Sequence, residues 1–270
     1  MHNQNLDMKR PIVGFIAIVL TSIAVFPQKG IKPWNEWNRK DAEKILNDSA
    51  WSQSQTESQS QSQQASDTPT NMGDTRGREE AVRNVTTNAS ISFHVRFFSA
   101  RPVRQAYVRL LQLSETTPPD ASAAERMAAW ANLAADDRII VTVSCTGDER
   151  SLAKVFRTLR NAKLDDLKTL VYLERKDGKR VALTDYAAPA KDLFGARFTF
   201  PRIVDGSPFV TPDSGTLRFH AEYSPGLPEA TTPTARGASG TTTRPEQPYK
   251  LRLDLKFKIA EMIYNGELEY

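Results

Sequence analysis

The sequence predicts an α+β fold: a largely antiparallel sheet with about three helices packed on one face. Three observations point there. The apolar patterning runs β-α-α-β-α and then turns mostly to strands after Leu164, which excludes a long run of regular βαβ units. The strands alternate between apolar and polar residues, as a sheet with one wet face does. Two dipeptides, Asp177-Gly178 and Asn265-Gly266, supply the positive φ that a tight hairpin turn needs.

Taken in order, the chain opens with Lys9 and Arg10 before an apolar run, Ile12 to Phe26, which ends in small residues and Pro27. This is the pattern of an export signal. The run is 15 residues, short of the roughly 20 that a spanning helix needs. Residues 1–26 are therefore expected to be a cleaved signal, with a retained inner-membrane anchor over residues 12–26 as the alternative. Residues 27–51 hold Trp34, Trp37 and Trp51 around a short helix, Lys40 to Asn47. They are expected either to dock on a partner or to pack back on their own domain. In residues 52–66, twelve of fifteen are Ser or Gln. Such a composition buries too little apolar area to offset its ordering entropy, so 52–86 are expected to be a disordered tether.

The main domain is expected over 87–270. Phe93, Val95 and Phe97 alternate on a first strand. Arg101 to Ser114 is helical, with Val103, Ala106, Tyr107, Leu110 and Leu111 on one stripe and Arg101, Arg104, Gln105 and Arg109 off it. Ser122 and Glu125 have capping-box spacing at the head of a second helix, in which Met127, Trp130, Ala131 and Ala134 face inward. Ile139, Val141, Val143 and Cys145 share one side of a second strand. Glu149 to Ala162 is a third helix, with Leu152, Val155, Phe156 and Leu159 inward. Strands then flank Asp177-Gly178. Phe194, Ala196, Phe198 and Phe200 alternate next, followed by Leu217, Phe219, Ala221 and Tyr223. Residues 224–248 read as a flexible surface loop. Leu251, Leu253, Leu255, Phe257 and Ile259 line the last long strand.

Composition narrows the function. The chain carries 36 basic and 32 acidic residues, a formal charge of +4, with no gathered basic footprint of a nucleic-acid binder. Cys145 is the only cysteine, so an exported chain must rest on its apolar core rather than on an internal disulfide. His94 and His220 are the histidines left after the signal. No nucleophile elbow, zinc spacing, calcium loop or phosphate loop accompanies them. Asp148-Glu149 and Asp165-Asp166 read as a helix cap and a turn. No cofactor or metal is expected. The strongest surface feature is the outer side of the last strand, with Lys250, Arg252, Lys256 and Lys258 relieved by Asp254. It either meets an anionic surface or guards a sheet edge.

Four stretches together, KPWNEWNRKDAEKILNDSAW at 32–51, LERKDGKR at 173–180, GARFTFPRIVDGSPF at 195–209 and the ending MIYNGELEY, resemble a family of exported bacterial proteins of unknown function. In that family the first block ends NDSPW, where this chain has Ala50. The resemblance implies a bacterial exported protein and brings no ligand or catalytic residue with it. The expectation is a secreted or periplasmic, non-enzymatic envelope module, structural or binding. Its candidate binding residues are Trp34, Trp37, Trp51, Arg252, Lys256 and Lys258. The expected partners are an envelope protein or an anionic envelope surface. The alternative is a periplasmic hydrolase acting on an envelope polymer, using His220 and a nearby carboxylate.

Overall fold

A computed structural model describes residues 32–60, 88–114, 119–134, 136–190, 194–225 and 248–270. The expected signal, residues 61–86 of the expected tether and nearly all of the 224–248 loop lie outside these residues. From Pro33 to Tyr270 the chain forms one compact unit, so the aromatic segment and the main domain are a single body.

Helix α1 is Arg39–Asn47. Asn38 starts it: its side chain accepts the Asp41 N–H at 2.9 Å while the Asp41 carboxylate accepts the Asn38 N–H at 3.1 Å. Strand β1 is Ser52–Ser60, β2 is Asn88–Phe97 and α2 is Arg101–Ser114. Helix α3, Ala121–Ala131, begins earlier than the Ser122–Glu125 spacing implies, because the Asp120 carboxylate accepts the Ala123 N–H at 2.7 Å and puts Ser122 inside the first turn. Then come β3 (Arg138–Gly147), α4 (Glu149–Asn161), α5 (Leu164–Leu167), β4 (Val171–Arg175), β5 (Arg180–Ala182), β6 (Asp185–Ala187), β7 (Ala196–Pro201), β8 (Ile203–Val204), β9 (Ser207–Pro208), β10 (Thr216–Tyr223), β11 (Leu251–Lys258), β12 (Ile263–Tyr264) and β13 (Glu267–Leu268).

Helices mixed with antiparallel sheets make this the α+β class that the sequence predicts. The long strands divide into two sheets, ordered β1-β2-β3-β7-β6 and β11-β10-β4-β5, with every pair antiparallel. Their apolar faces meet. Phe97 packs edge-on against Phe257 with ring centroids 4.8 Å apart, and Phe198 and Phe219 meet at 5.7 Å. Such pairs add about 0.5–1.5 kcal/mol each beyond the area they bury. Thus the alternation read from β2, β7, β10 and β11 is real, but each sheet uses the other as its cover. Helices α1 and α4 pack on β2, and α3 packs on α2. In α4 the buried positions are Ser151, Val155, Thr158 and Leu159, while Phe156 turns outward. Thr158 tolerates burial because its hydroxyl donates to the Tyr249 carbonyl at 3.2 Å. Cys145 is half-buried at the end of its apolar run, and burial pushes its thiol pKa up to about 11.

Residues 52–60 are not part of a disordered tether. Ser52 pairs with Arg96 and the register continues to Ser60 opposite Asn88. No apolar side chain holds β1 in place. Ser54, Thr56 and Ser58 take the outer face, where Thr56 bonds Ser92 at 2.8 Å, while Ser52 is fully buried. On the opposite face Gln53 and Gln55 reach β11, and Glu57 accepts from the Tyr249 hydroxyl at 2.5 Å. Gln53 donates to the Lys256 carbonyl at 2.7 Å and Gln55 to the Arg252 carbonyl at 2.8 Å, while Gln55 accepts the Asp254 N–H at 3.2 Å. The strand is ordered by hydrogen bonds to two existing sheet edges, a source of order that composition does not reveal.

The aromatic segment also turns inward. Trp37 and Trp51 are buried and Trp34 is half-buried against the core. The Trp51 indole donates to the Glu269 carbonyl at 2.8 Å and meets the Tyr264 ring edge-on at 6.0 Å. Arg96, buried on β2, donates to the Leu46 carbonyl at 2.5 Å, to Ser144 at 2.6 Å and to Asn47 at 3.0 Å, and so ties the C-terminal end of α1 to the sheet. Trp51→Ala is expected to lower unfolding free energy by about 3–5 kcal/mol, measured by urea denaturation of the full chain. An unchanged midpoint would mean that the segment is a detached tail after all.

Candidate functional site

The outward residues of β4, β5, β10 and β11 form the most heavily charged face among the described residues. Register fixes their neighbours. His220 lies opposite Tyr172 on one side and Asp254 on the other, and Arg218 opposite Glu174 and Lys256. Arg218 donates through Nε to Asp254 at 2.7 Å and through Nη2 to the other Asp254 oxygen, and reaches Glu174 at 3.3 Å. Arg180 holds the second Glu174 oxygen and lies over the Tyr172 ring at 4.3 Å. Tyr172 in turn stacks on His220 at 4.8 Å. The hydrogen bonds from Arg218 hold the Asp254 carboxyl below the usual range. Arg180 does the same for Glu174, and Lys250 and Arg252 for Glu222.

This lattice sorts the basic candidates. Arg252 and Lys250 both pair with Glu222 at 3.1 Å, and Lys258 pairs with Glu261 at 2.9 Å. Among the described residues Lys256 has no ion pair. It lines a groove of about 680 Å³ between β1 and β11, together with Gln53, Gln55, Arg218 and Asp254. Trp37 and Trp51 are buried and present no docking surface, which removes them from the binding candidates. Trp34 is half-buried on the same inward-turned segment, and neither it nor Trp37 or Trp51 lines the groove.

The histidines divide differently from expectation. His220 has a carboxylate nearby, but its Nδ1 lies 3.7 Å from Asp254, beyond hydrogen-bond reach, and makes no hydrogen bond among the described residues. His94 sits in a hydroxyl network: Nδ1 is 2.8 Å from Ser54 Oγ and Nε2 is 3.2 Å from Thr146 Oγ1. Burial, and then the Arg96 charge, lower its pKa below the usual 6.5, so it is neutral at pH 7. Gln53, Gln55 and Ser54 were missed by composition. The signal that reveals them is the alternation of Ser or Thr with Gln or Glu through 52–59, a period of two that belongs to a strand.

A carboxyl held below its ordinary pKa stabilises the fold fully above that ordinary value and loses the contribution as the pH falls through the folded one. For Asp254 the loss therefore begins near pH 3.8, its ordinary value, and grows with acid. Asp254→Asn is expected to flatten this part of the stability-pH curve, measured by urea midpoints between about pH 5 and pH 2. An unaltered curve would mean that the Arg218 pair does not persist in solution. Compared with protein-family models, with curated proteins and with solved structures, the chain matches none.

Proposed function

We propose that the chain is an exported, non-enzymatic module of a bacterial cell envelope that binds an anionic envelope polymer in the groove between β1 and β11. The single observation behind this is Lys256. It is the groove's unpaired cation on a face where neighbouring charges are matched, and it stands beside the side-chain amides of Gln53 and Gln55. An unpaired ammonium in a groove lined by polar side chains suits an anionic chain rich in hydroxyls. Export rests on the sequence pattern of residues 9–27. Among the described residues no helix is long and apolar enough to cross a membrane, and the apolar run at 12–26 lies outside them.

The test is co-sedimentation of the processed chain with isolated envelope polymer. Lys256→Glu is expected to weaken binding about two- to tenfold, with the difference shrinking in high salt. Arg252→Ala and Lys258→Ala, whose charges are already paired, are expected to change it less. Equal effects from all three variants would overturn the groove assignment.

A second reading, hydrolysis of an envelope polymer, has one observation in its favour: the approach of Ser54 to His94 at 2.8 Å. The third partner is the Thr146 hydroxyl, where an orienting carboxylate would be expected. Should any hydrolytic release be measured, Ser54→Ala is expected to abolish it with folding intact. Full retention of the activity would eliminate this pair.

A further inference from the structure

A second cavity lies away from the groove, where the start of α2, the end of α3 and the start of β3 converge. Its volume is about 170 Å³. Phe98 and Trp130 wall it, with Leu133 and Ala134 at the mouth. Leu133 is 55% exposed, an uncommon position for a leucine with a core beside it. The cavity's polar lining is Ser99, Arg104, Asp136 and Arg138, of which Arg104 is the buried charge, 7% exposed.

The guanidinium is incompletely answered. Nη1 donates to the Ser99 carbonyl and Nη2 to the Leu133 carbonyl, while Nε finds no acceptor among the described residues. No carboxylate there pairs with it. Asp136 stands at the same cavity but is engaged by Arg138, through Nε at 2.9 Å and Nη2 at 2.6 Å. The comparison within the molecule is informative. Arg96, equally buried, donates through all three nitrogens, while Arg101, whose Nε likewise finds no acceptor, holds two carboxylates. The hydrogen bonds of Arg104 go to carbonyls alone, the Glu269 and Asp136 charges act on it only through space, and an anion bonded at Nε would offset more of the cost of burying it. Apolar walls with a few convergent polar groups are the make-up of a small-molecule site.

We infer that this cavity binds a small organic carboxylate with an aromatic or branched apolar body, its charge on Arg104 and its body between Phe98 and Trp130. The site is separate from the β1–β11 groove and does not depend on the function proposed for it.

The probe is benzoate, titrated into the full chain and followed by the amide, indole and guanidinium Nε–H signals in NMR, with benzamide as the neutral counterpart. Benzoate is expected to shift the Trp130 and Arg104 signals saturably at about 10 mM or below, and benzamide to bind at least about tenfold more weakly. Ala134→Phe fills the mouth without touching the bonds of Arg104. It is expected to weaken benzoate binding at least about tenfold at an unchanged melting temperature. Equal binding of benzamide would overturn the role of the charge. Shifts that do not saturate, or that map away from Trp130, would overturn the site. Both results are read on the unmodified chain, so the inference is decided even if a variant fails to fold.

Discussion

The buried carboxylate of Glu269 is the constraint on which the rest of the structure depends. It is 3% exposed, accepts the Arg101 N–H at 2.9 Å and meets the Arg101 guanidinium at 2.6 Å. It therefore answers an unsatisfied amide at the head of α2 with a negative charge at the positive end of the helix. Its own backbone carbonyl receives the Trp51 indole. One residue thus joins the aromatic segment, the first long helix and the β12–β13 hairpin. Tyr264 adds a fourth tie by donating to the Gln105 side chain at 2.7 Å. Losing Arg101 would leave the Glu269 carboxylate buried without its ion pair, a costly change, whereas losing Glu269 would leave Arg101, 24% exposed, still paired with Glu267.

The rest of the architecture deals with open edges. Two antiparallel sheets packed face to face have four outer edges, and exposed edges invite pairing with other chains. At one side β5 passes into β6 through Leu183 and Thr184, so the chain itself turns the corner between sheets. At the other side β1 and β11 do not join by backbone. Glutamine side chains bridge them, and the bridge leaves the groove beside it. The basic outer side of β11 serves this arrangement too, since most of its charges are spent in pairs across the sheet.

Much of this was legible in the sequence. The bounds of α2, the Asp-Gly hairpin and the alternation of β10 and β11 follow from periodicity and turn chemistry. These are local signals, and local signals survive folding. The division into two sheets was not legible, because alternation says that a face is covered and not by what. The inward turn of Trp37 and Trp51 depends on contacts with residues far along the chain. For β1, a composition typical of disorder outweighed the period of two in the same residues. The groove inherits that blindness, as two of its amides come from β1. The Arg104 cavity was hidden for a further reason: Arg104 read as a residue off the apolar stripe of α2, and its burial comes from the Leu133 turn folding over it.

Strand β1 ends at Ser60, directly opposite Asn88, where β2 begins. The chain leaves the sheet and returns to it at one place. Any link from Ser60 to Asn88 therefore starts and finishes at paired neighbours, and for flexible links between such ends the closing free energy changes only logarithmically with length. The register of β1 on β2 is set by the paired residues themselves and not by how far apart in sequence the two strands stand.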